Sequence, residues 1–287
     1  MNAGAAHSFI NPSLVSPSSP IGVFDSGIGG LTVLRALRER LPRESFVYLG
    51  DTARLPYGTK SPQSIVRYAT QAARKLMQHN IKCLVIACNT ASAFAIAALR
   101  EQFAPLPVLG VIEPGAEAGC RATKAGRIAV IATESTVRGG AYQRAILARR
   151  PDAKTLARAC SLFVALAEEG WTSGPIVAGV AHRYLDELFA VRASQRPDTL
   201  VLGCTHFPVF TEVLRDVIGI DVTVVDSAQT TAIALEKLLD ESELRNDSDA
   251  PALRLLATDG CERFACVGAR FLDRPIHPDE VQLVDLG

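Results

Sequence analysis

CLVIACNT (residues 83–90) and DTLVLGCTH (residues 198–206) are the two stretches on which the fold turns. Each is a short apolar run that reaches a small residue, then a cysteine, then polar groups. Short runs that are apolar throughout, separated by helical segments, are the signature of strands buried on both faces of a parallel sheet. The two stretches lie about one domain length apart. Their likeness predicts two similar lobes, each presenting a cysteine, Cys88 or Cys204, at the carboxyl end of a strand. Ligands of open α/β sheets bind at that end.

The same alternation fills the rest of the chain. Strands are expected at 21–25, 46–49, 83–87, 107–111, 127–132, 199–203, 221–225, 253–257 and 281–284. Between them lie helices. Residues 31–41 put Leu31, Leu34, Leu37 and Leu41 on one face and stop at Pro42. After Ser61, an N-cap, and Pro62, at the first helical position, a second helix aligns Ile65, Ala69, Ala72 and Leu76. The fold class is therefore α/β, with two pseudo-symmetric lobes, each a mostly parallel sheet flanked by helices, and a site in the cleft between them. The expected division is a flexible extension at 1–20, lobe one from 21–112 plus 226–287, and lobe two from 113–225. The polar run 241–251 reads as a surface loop.

A chain of 287 residues is long enough for two domains, and 48% hydrophobic with 21% charged residues is the composition of a soluble globular protein. Lys plus Arg and Asp plus Glu both number 30, so net charge exerts no general pull toward nucleic acid or an anionic membrane. Residues 1–20 are rich in Ser and Pro and hold neither Lys nor Arg nor a long apolar core, which makes a poor signal peptide. The most apolar stretch, 83–99, is interrupted by Asn89, Thr90 and Ser92, as befits a strand entering a helix rather than a membrane span. A cytoplasmic location is expected. The seven cysteines (83, 88, 120, 160, 204, 261 and 266) are odd in number and include no Cys-x-x-Cys. A buried free cysteine is ordinarily a small hydrophobe, so any chemistry must come from its setting.

That setting is suggestive at four places. Cys88-Asn89-Thr90-Ala91-Ser92 sits at a strand-to-helix junction, where backbone N–H groups and the helix dipole favour an anion and should lower the pKa of a thiol. Cys204-Thr205-His206 repeats the arrangement, with a histidine able to hydrogen-bond the thiol or a ligand. Zinc is disfavoured, because no second His or Cys stands at finger-like spacing. Asp25-Ser26-Gly27-Ile28-Gly29-Gly30 is a tight turn that is neither a Walker A loop nor GxGxxG. Its Asp25 can orient or deprotonate a partner, or merely cap a helix. Tyr57-Gly58 ends a polar loop that can wall the same cleft. Glu168-Glu169, taken alone, is a solvated charge pair. The combination carries more than its parts: stereoinversion requires a modest base on each side of one carbon, and two duplicated lobes supply two thiols.

Together these residues resemble glutamate racemase. The likeness is carried by DSGIGGLTVL (25–34), YLGDTARLPYG (48–58), ACNTAS (87–92), PVLGVIEPGA (107–116), CSLFVALAEEG (160–170) and GCTHFP (203–208), and covers about residues 20–270. ACNTAS with GCTHFP marks the wider aspartate/glutamate racemase superfamily; DSGIGG and ARLPYG narrow it to the glutamate branch. The resemblance implies that Cys88 and Cys204 are the catalytic acid/bases, Cys88 acting on D-glutamate and Cys204 on L-glutamate. It implies that Asp25 and His206 assist them, with Glu168 on the Cys204 side. Asp25, Ser26, Tyr57, Gly58, Asn89, Thr90, Thr205 and His206 then contact the substrate. It further implies no cofactor and no metal, a homodimer, and supply of D-glutamate for peptidoglycan. The chain departs from the family pattern at Ser161 and Ala165, where Pro is common, and at Phe207, where Tyr is common. Other readings are an aspartate racemase, a silent amino-acid-binding protein, and a Cys-His hydrolase. Binding alone needs no thiols, and a hydrolase leaves one cysteine unused.

Overall fold

The apolar runs form parallel strands, and all but the last are followed by a segment with helical periodicity. The structure is a computed structural model that describes residues 15–189, 191, 192, 194–247 and 249–287. Most of the expected N-terminal extension, residues 1–14, lies outside the described residues. The chain runs β1 (Ile21–Asp25), α1 (Leu31–Arg40), β2 (Phe46–Gly50), α2 (Pro62–Met77), β3 (Cys83–Ile86), α3 (Asn89–Gln102) and β4 (Val108–Gly110). It continues through α4 (Ile112–Ala122), β5 (Arg127–Ala132), α5 (Glu134–Gly139), α6 (Ala141–Arg149), β6 (Lys154–Ala159), α7 (Leu162–Glu169) and α8 (Pro175–Phe189). Then come β7 (Thr199–Gly203), α9 (Thr211–Ile218), β8 (Thr223–Asp226), α10 (Ser227–Glu241), β9 (Leu253–Ala257), α11 (Cys261–Leu272) and β10 (Val281–Leu283).

Two sheets result. One has six strands in the order β10-β9-β2-β1-β3-β4, the other four in the order β6-β5-β7-β8, and every pairing is parallel. The α/β class and the two-lobe plan expected from the sequence are thus found. The chain passes from the first sheet to the second through α4, which packs on β7 and β8, and returns through α10, which packs on both α1 and α4. Ser61 caps α2 as its position suggests, accepting the Ser64 N–H at 3.3 Å.

Two features were not foreseen. β6 is an edge strand in which Lys154 and Leu156 are exposed and Thr155, Ala157, Arg158 and Ala159 half-buried, so it offers no continuous apolar run to detect. The 241–251 segment is only partly a surface loop. α10 extends through Glu241, and the Leu244 carbonyl accepts from Lys82 Nζ at 2.7 Å. Lys82 is completely buried. It also donates to the Pro17 carbonyl at 2.6 Å and pairs with Glu44 at 2.5 Å. Glu44 in turn accepts the Asn246 N–H at 2.9 Å. A buried ammonium is tolerable only when such oxygens replace its water shell. The contacts pin three separate segments to the amino end of β3, away from the strand ends that carry the site.

Candidate active site

The Cys88 half is built on β1, β3 and the start of α3. β1 ends at Asp25, and the 26–30 turn leads into α1, whose N-cap is Gly30 without a side-chain bond. Asp25 is therefore not a helix cap. Its Oδ2 accepts the Gly27 N–H at 2.9 Å, and its Oδ1 has no hydrogen-bond partner among the described residues. Two glycines of the turn are sterically required: a Cβ on Gly30 would overlap the Asp25 side chain, and one on Gly29 would overlap the His206 ring. Burial raises the Asp25 pKa, opposed by the charge of His206 and by the amides of Gly30, Gly27 and Ser26. Cys88 is the N-cap of α3: its Sγ accepts from the Ala91 N–H at 3.4 Å, and the thiol donates to Ser26 Oγ at 3.3 Å.

The helix terminus was expected to lower the Cys88 pKa. Instead burial, followed by the charge of Asp25, pushes the thiol up to about 12, against the opposing bonds from Ser26 and Ala91. Desolvation of the thiolate outweighs the helix field because the group is closed off from water. Cys204 also raises it, so the two thiols lie close enough for one charge to act on the other.

The Cys204 half differs in construction. Beyond β7, the chain makes Cys204, Thr205 and His206 and then a short 3-10 turn, Phe207–Phe210, before α9. His206 Nδ1 stands 3.8 Å from Cys204 Sγ and 3.5 Å from Thr205 Oγ1, and Nε2 stands 3.2 Å from Glu168 Oε1 at the end of α7. The ring edge packs on Phe271, centroids 5.3 Å apart. Burial alone would lower the His206 pKa, but Cys204 and Glu168 together overcome it and bring it to about 10. Glu168 is held below the usual carboxylate range, chiefly by the His206 bond and then by Arg263. At neutral pH the pair is an imidazolium facing a carboxylate.

Other contacts close the cleft between the lobes. Tyr142 OH donates to Asn89 Oδ1 at 2.7 Å, leaving Asn89 Nδ2 buried without a partner. Thr90 Oγ1 lies 2.9 Å from Thr133 Oγ1 and 3.1 Å from Thr136 Oγ1. Ser135 Oγ donates to the Gly58 carbonyl at 2.6 Å, and Thr32 Oγ1 to the Thr205 carbonyl at 2.8 Å. Tyr57 is buried; its hydroxyl donates to Asp51 Oδ2 at 2.5 Å, and its own pKa is raised first by burial and in smaller part by Cys88. These contacts bring Asp25, Ser26, Cys88 and Asn89 near Cys204, Thr205, His206 and Glu168, with Tyr57, Gly58 and Thr90 beside them. Thr133, Thr136, Tyr142, Thr32 and Arg263 were not singled out. Thr133 had a signal, since it follows the carboxyl end of β5 as Ser26 follows β1. The others become neighbours only when the lobes meet. Both thiols are 5% exposed, and Asn89, Thr90, Thr205 and His206 are buried with them. Among the described residues no three His, Cys, Asp or Glu side chains are grouped as a metal site.

A family model for Asp/Glu/hydantoin racemase matches residues 21–235. A glutamate racemase of Geobacter metallireducens is 46% identical over 257 residues, covering 89% of this chain and 93% of that one. The crystal structure of Francisella tularensis glutamate racemase in complex with D-glutamate superposes with a TM-score of 0.86 at 37% identity, covering 94% of this chain and 98% of that one. A glutamate racemase of Bacillus anthracis gives 0.88 at 36% identity, covering 93% and 98%. Two parallel-sheet lobes with a buried thiol after one strand of each, together with these relatives, define a class, the cofactor-independent amino-acid racemases. The chain belongs to the Asp/Glu/hydantoin racemase family, in its glutamate racemase branch.

Proposed function

We propose that the chain interconverts L- and D-glutamate by passing the α-proton between Cys204 and Cys88. As a thiolate, Cys204 takes the proton of L-glutamate, and the Cys88 thiol returns its own proton to the opposite face of the carbanion. In the reverse direction Cys88 takes the proton of D-glutamate and Cys204 delivers. Each turnover moves the thiolate from one lobe to the other. The observation that carries this reading is that two buried thiols follow the carboxyl ends of β3 and β7, one in each sheet, with Cys204 close enough for its charge to raise the Cys88 pKa. His206 serves Cys204 as a cation, and Glu168 holds that charge in place. Asp25 serves Cys88.

The substrate contacts are Asp25, Ser26, Tyr57, Gly58, Asn89, Thr90, Thr205 and His206. The unpartnered Asn89 Nδ2 supports this, because a buried donor without an acceptor is costly and a substrate carboxylate oxygen would satisfy it. Burial of the thiols means that substrate enters only when the lobes part. The cross-lobe hydrogen bonds are each worth about 0.5–1.5 kcal/mol net, few enough to open. The division into 21–112 plus 226–287 and 113–225 follows the two sheets closely and would make these two segments the moving bodies. Family likeness supports a homodimer and a supply of D-glutamate for peptidoglycan. A cytoplasmic location fits that supply, and no helix among the described residues is long and apolar enough to cross a membrane.

Incubation of L-glutamate with the purified chain, without added cofactor and with EDTA, should yield D-glutamate by chiral analysis. Activity that EDTA abolishes and a metal restores would overturn the two-thiol mechanism. Preference for aspartate in the same assay would move the chain to the aspartate branch.

A further inference from the structure

Glu168 is reached from the opposite lobe. Its Oε1 faces His206 Nε2 at 3.2 Å, while its Oε2 accepts from Arg263 Nη2 at 3.2 Å and its backbone carbonyl accepts from Arg270 Nη1 at 3.1 Å. Both arginines belong to α11, which packs on α1 and β10 beside the six-stranded sheet. Glu168 lies in the last turn of α7, which packs on α8 and on the 207–210 turn beside the four-stranded sheet. Arg270 also lies over Gly170, the left-handed residue that ends α7, where an added Cβ would fall 2.6 Å from Nη1. The cations of one lobe thus meet the carboxyl end of a helix of the other, an arrangement that the helix dipole favours.

We propose that Arg263 is a positioning residue: from the opposite lobe it holds Glu168 Oε2, aims Oε1 at His206, and so completes the Cys204 half of the site only when the lobes are closed. The proposal rests on the reading that Cys204 and His206 act on glutamate. Arg263 is itself 57% exposed and touches neither thiol, so its ion pair adds little to stability. Its effect is on geometry. A glutamate side chain tethered through one oxygen keeps much of its rotamer freedom, whereas one gripped at both oxygens and at its carbonyl does not. Opening the lobes separates α11 from α7 and releases that grip, and closing them over substrate restores it.

The groups facing His206 are Cys204 and Thr205 at Nδ1, Glu168 at Nε2, Asp25 from β1, and the Phe271 ring from α11. In this surrounding the two roles open to Arg263 have opposite signs. As a bare positive charge it disfavours the imidazolium. As the group that aims Glu168 it favours the imidazolium. Neutralising Arg263 therefore raises the His206 pKa in the first case and lowers it in the second.

The test uses the full chain as wild type, Arg263→Gln, Arg263→Lys and, as a surface control, Arg121→Ala. Racemisation is followed against pH, and the His206 imidazole is titrated by NMR in each protein. Arg263→Gln should lower kcat about tenfold, the loss of one hydrogen bond between charged groups, with KM little changed. It should move both the His206 titration and the alkaline limb of the profile down from about 10. Arg263→Lys should recover part of both, and Arg121→Ala should match wild type. A His206 titration that rises, or stays in place, in Arg263→Gln overturns the proposal. Should wild type fail to racemise glutamate while the titration still falls in Arg263→Gln, the functional reading fails and the positioning role stands.

Discussion

Cys88 and Cys204 occupy matching ends of β3 and β7, but their pockets are charged in opposite senses. Cys88 caps the long helix α3 and faces a buried carboxylate, Asp25. Cys204 leads into a 3-10 turn and faces His206, which Glu168 keeps protonated. The helix terminus, expected to acidify Cys88, is overcome by burial and by Asp25. Topological symmetry thus brings two thiols together without making their surroundings chemically alike. Under the proposed mechanism, that difference teaches that the two directions of one reaction need not share one electrostatic solution. The enantiomers have equal free energy in water, so kcat/KM has to match in the two directions. The asymmetry must show instead in half-reactions, in pH limbs and in stability.

The largest effect is expected from removing a thiol. Cys88→Ala and Cys204→Ala should each lose racemisation by on the order of 10³-fold, the scale of a lost general acid or base. Each should keep a slow half-reaction. In heavy water Cys204→Ala should exchange the α-proton of D-glutamate alone, and Cys88→Ala that of L-glutamate alone, as read by NMR. Exchange of both enantiomers at equal rates by one variant would erase the distinction between the two sides.

Smaller effects come from the neighbours. His206→Asn and Asp25→Asn should each slow turnover by about 10- to 100-fold without unfolding the chain. Their pH profiles should part in opposite directions. Wild-type activity should fall as pH rises through about 10, where His206 loses its proton. His206→Asn removes that group, so the fall should move toward about 12, where Cys88 ionises. Asp25→Asn removes a negative charge that supports the proton on both His206 and Cys88, so the fall should come at lower pH. Limbs that shift together would mean that the two pockets are not electrically opposed.

The smallest effect is on stability, again with opposite signs. The folded His206 pKa is raised above 6.5, so its contribution is complete below about 6.5 and is lost as pH rises through about 10. His206→Asn should therefore lower Tm at neutral pH. The Asp25 pKa is also raised, from 3.8, but there ionisation costs stability: the cost is absent under acid conditions and is present once pH passes the folded value. Asp25→Asn should raise Tm at neutral pH. Shifts of about 2–4 °C, the response of a domain of this size to about 1 kcal/mol, are expected in calorimetry. A stabilising His206→Asn would contradict the charge assigned to that pocket.

Much of this was legible in the sequence because it is written in contiguous residues. Strands buried on both faces are apolar throughout, so nine of the ten strands could be read directly, and the repeated strand-to-cysteine pattern pointed to the two thiols. The half-exposed edge strand β6 could not, because Lys154 and Arg158 interrupt its few apolar residues and the stretch does not stand out from a loop. Asp25, His206, Asn89 and Thr90 adjoin the strand ends and were found with them. Their electrostatics were not, since a helix terminus favours a thiolate but burial and Asp25 raise Cys88 to about 12. Nothing in the sequence marks Lys82, whose burial depends on the oxygens of Pro17, Glu44 and Leu244 gathered from three distant segments. Residue order alone determined the α/β class, the two lobes and the thiols at their strand ends, because those depend on local periodicity and on which groups adjoin each strand. Tertiary structure alone decided which thiol meets a cation, that Tyr142 orients Asn89, and that Arg263 grips Glu168, because charge, desolvation and cross-lobe contact depend on distances between residues far apart in the chain.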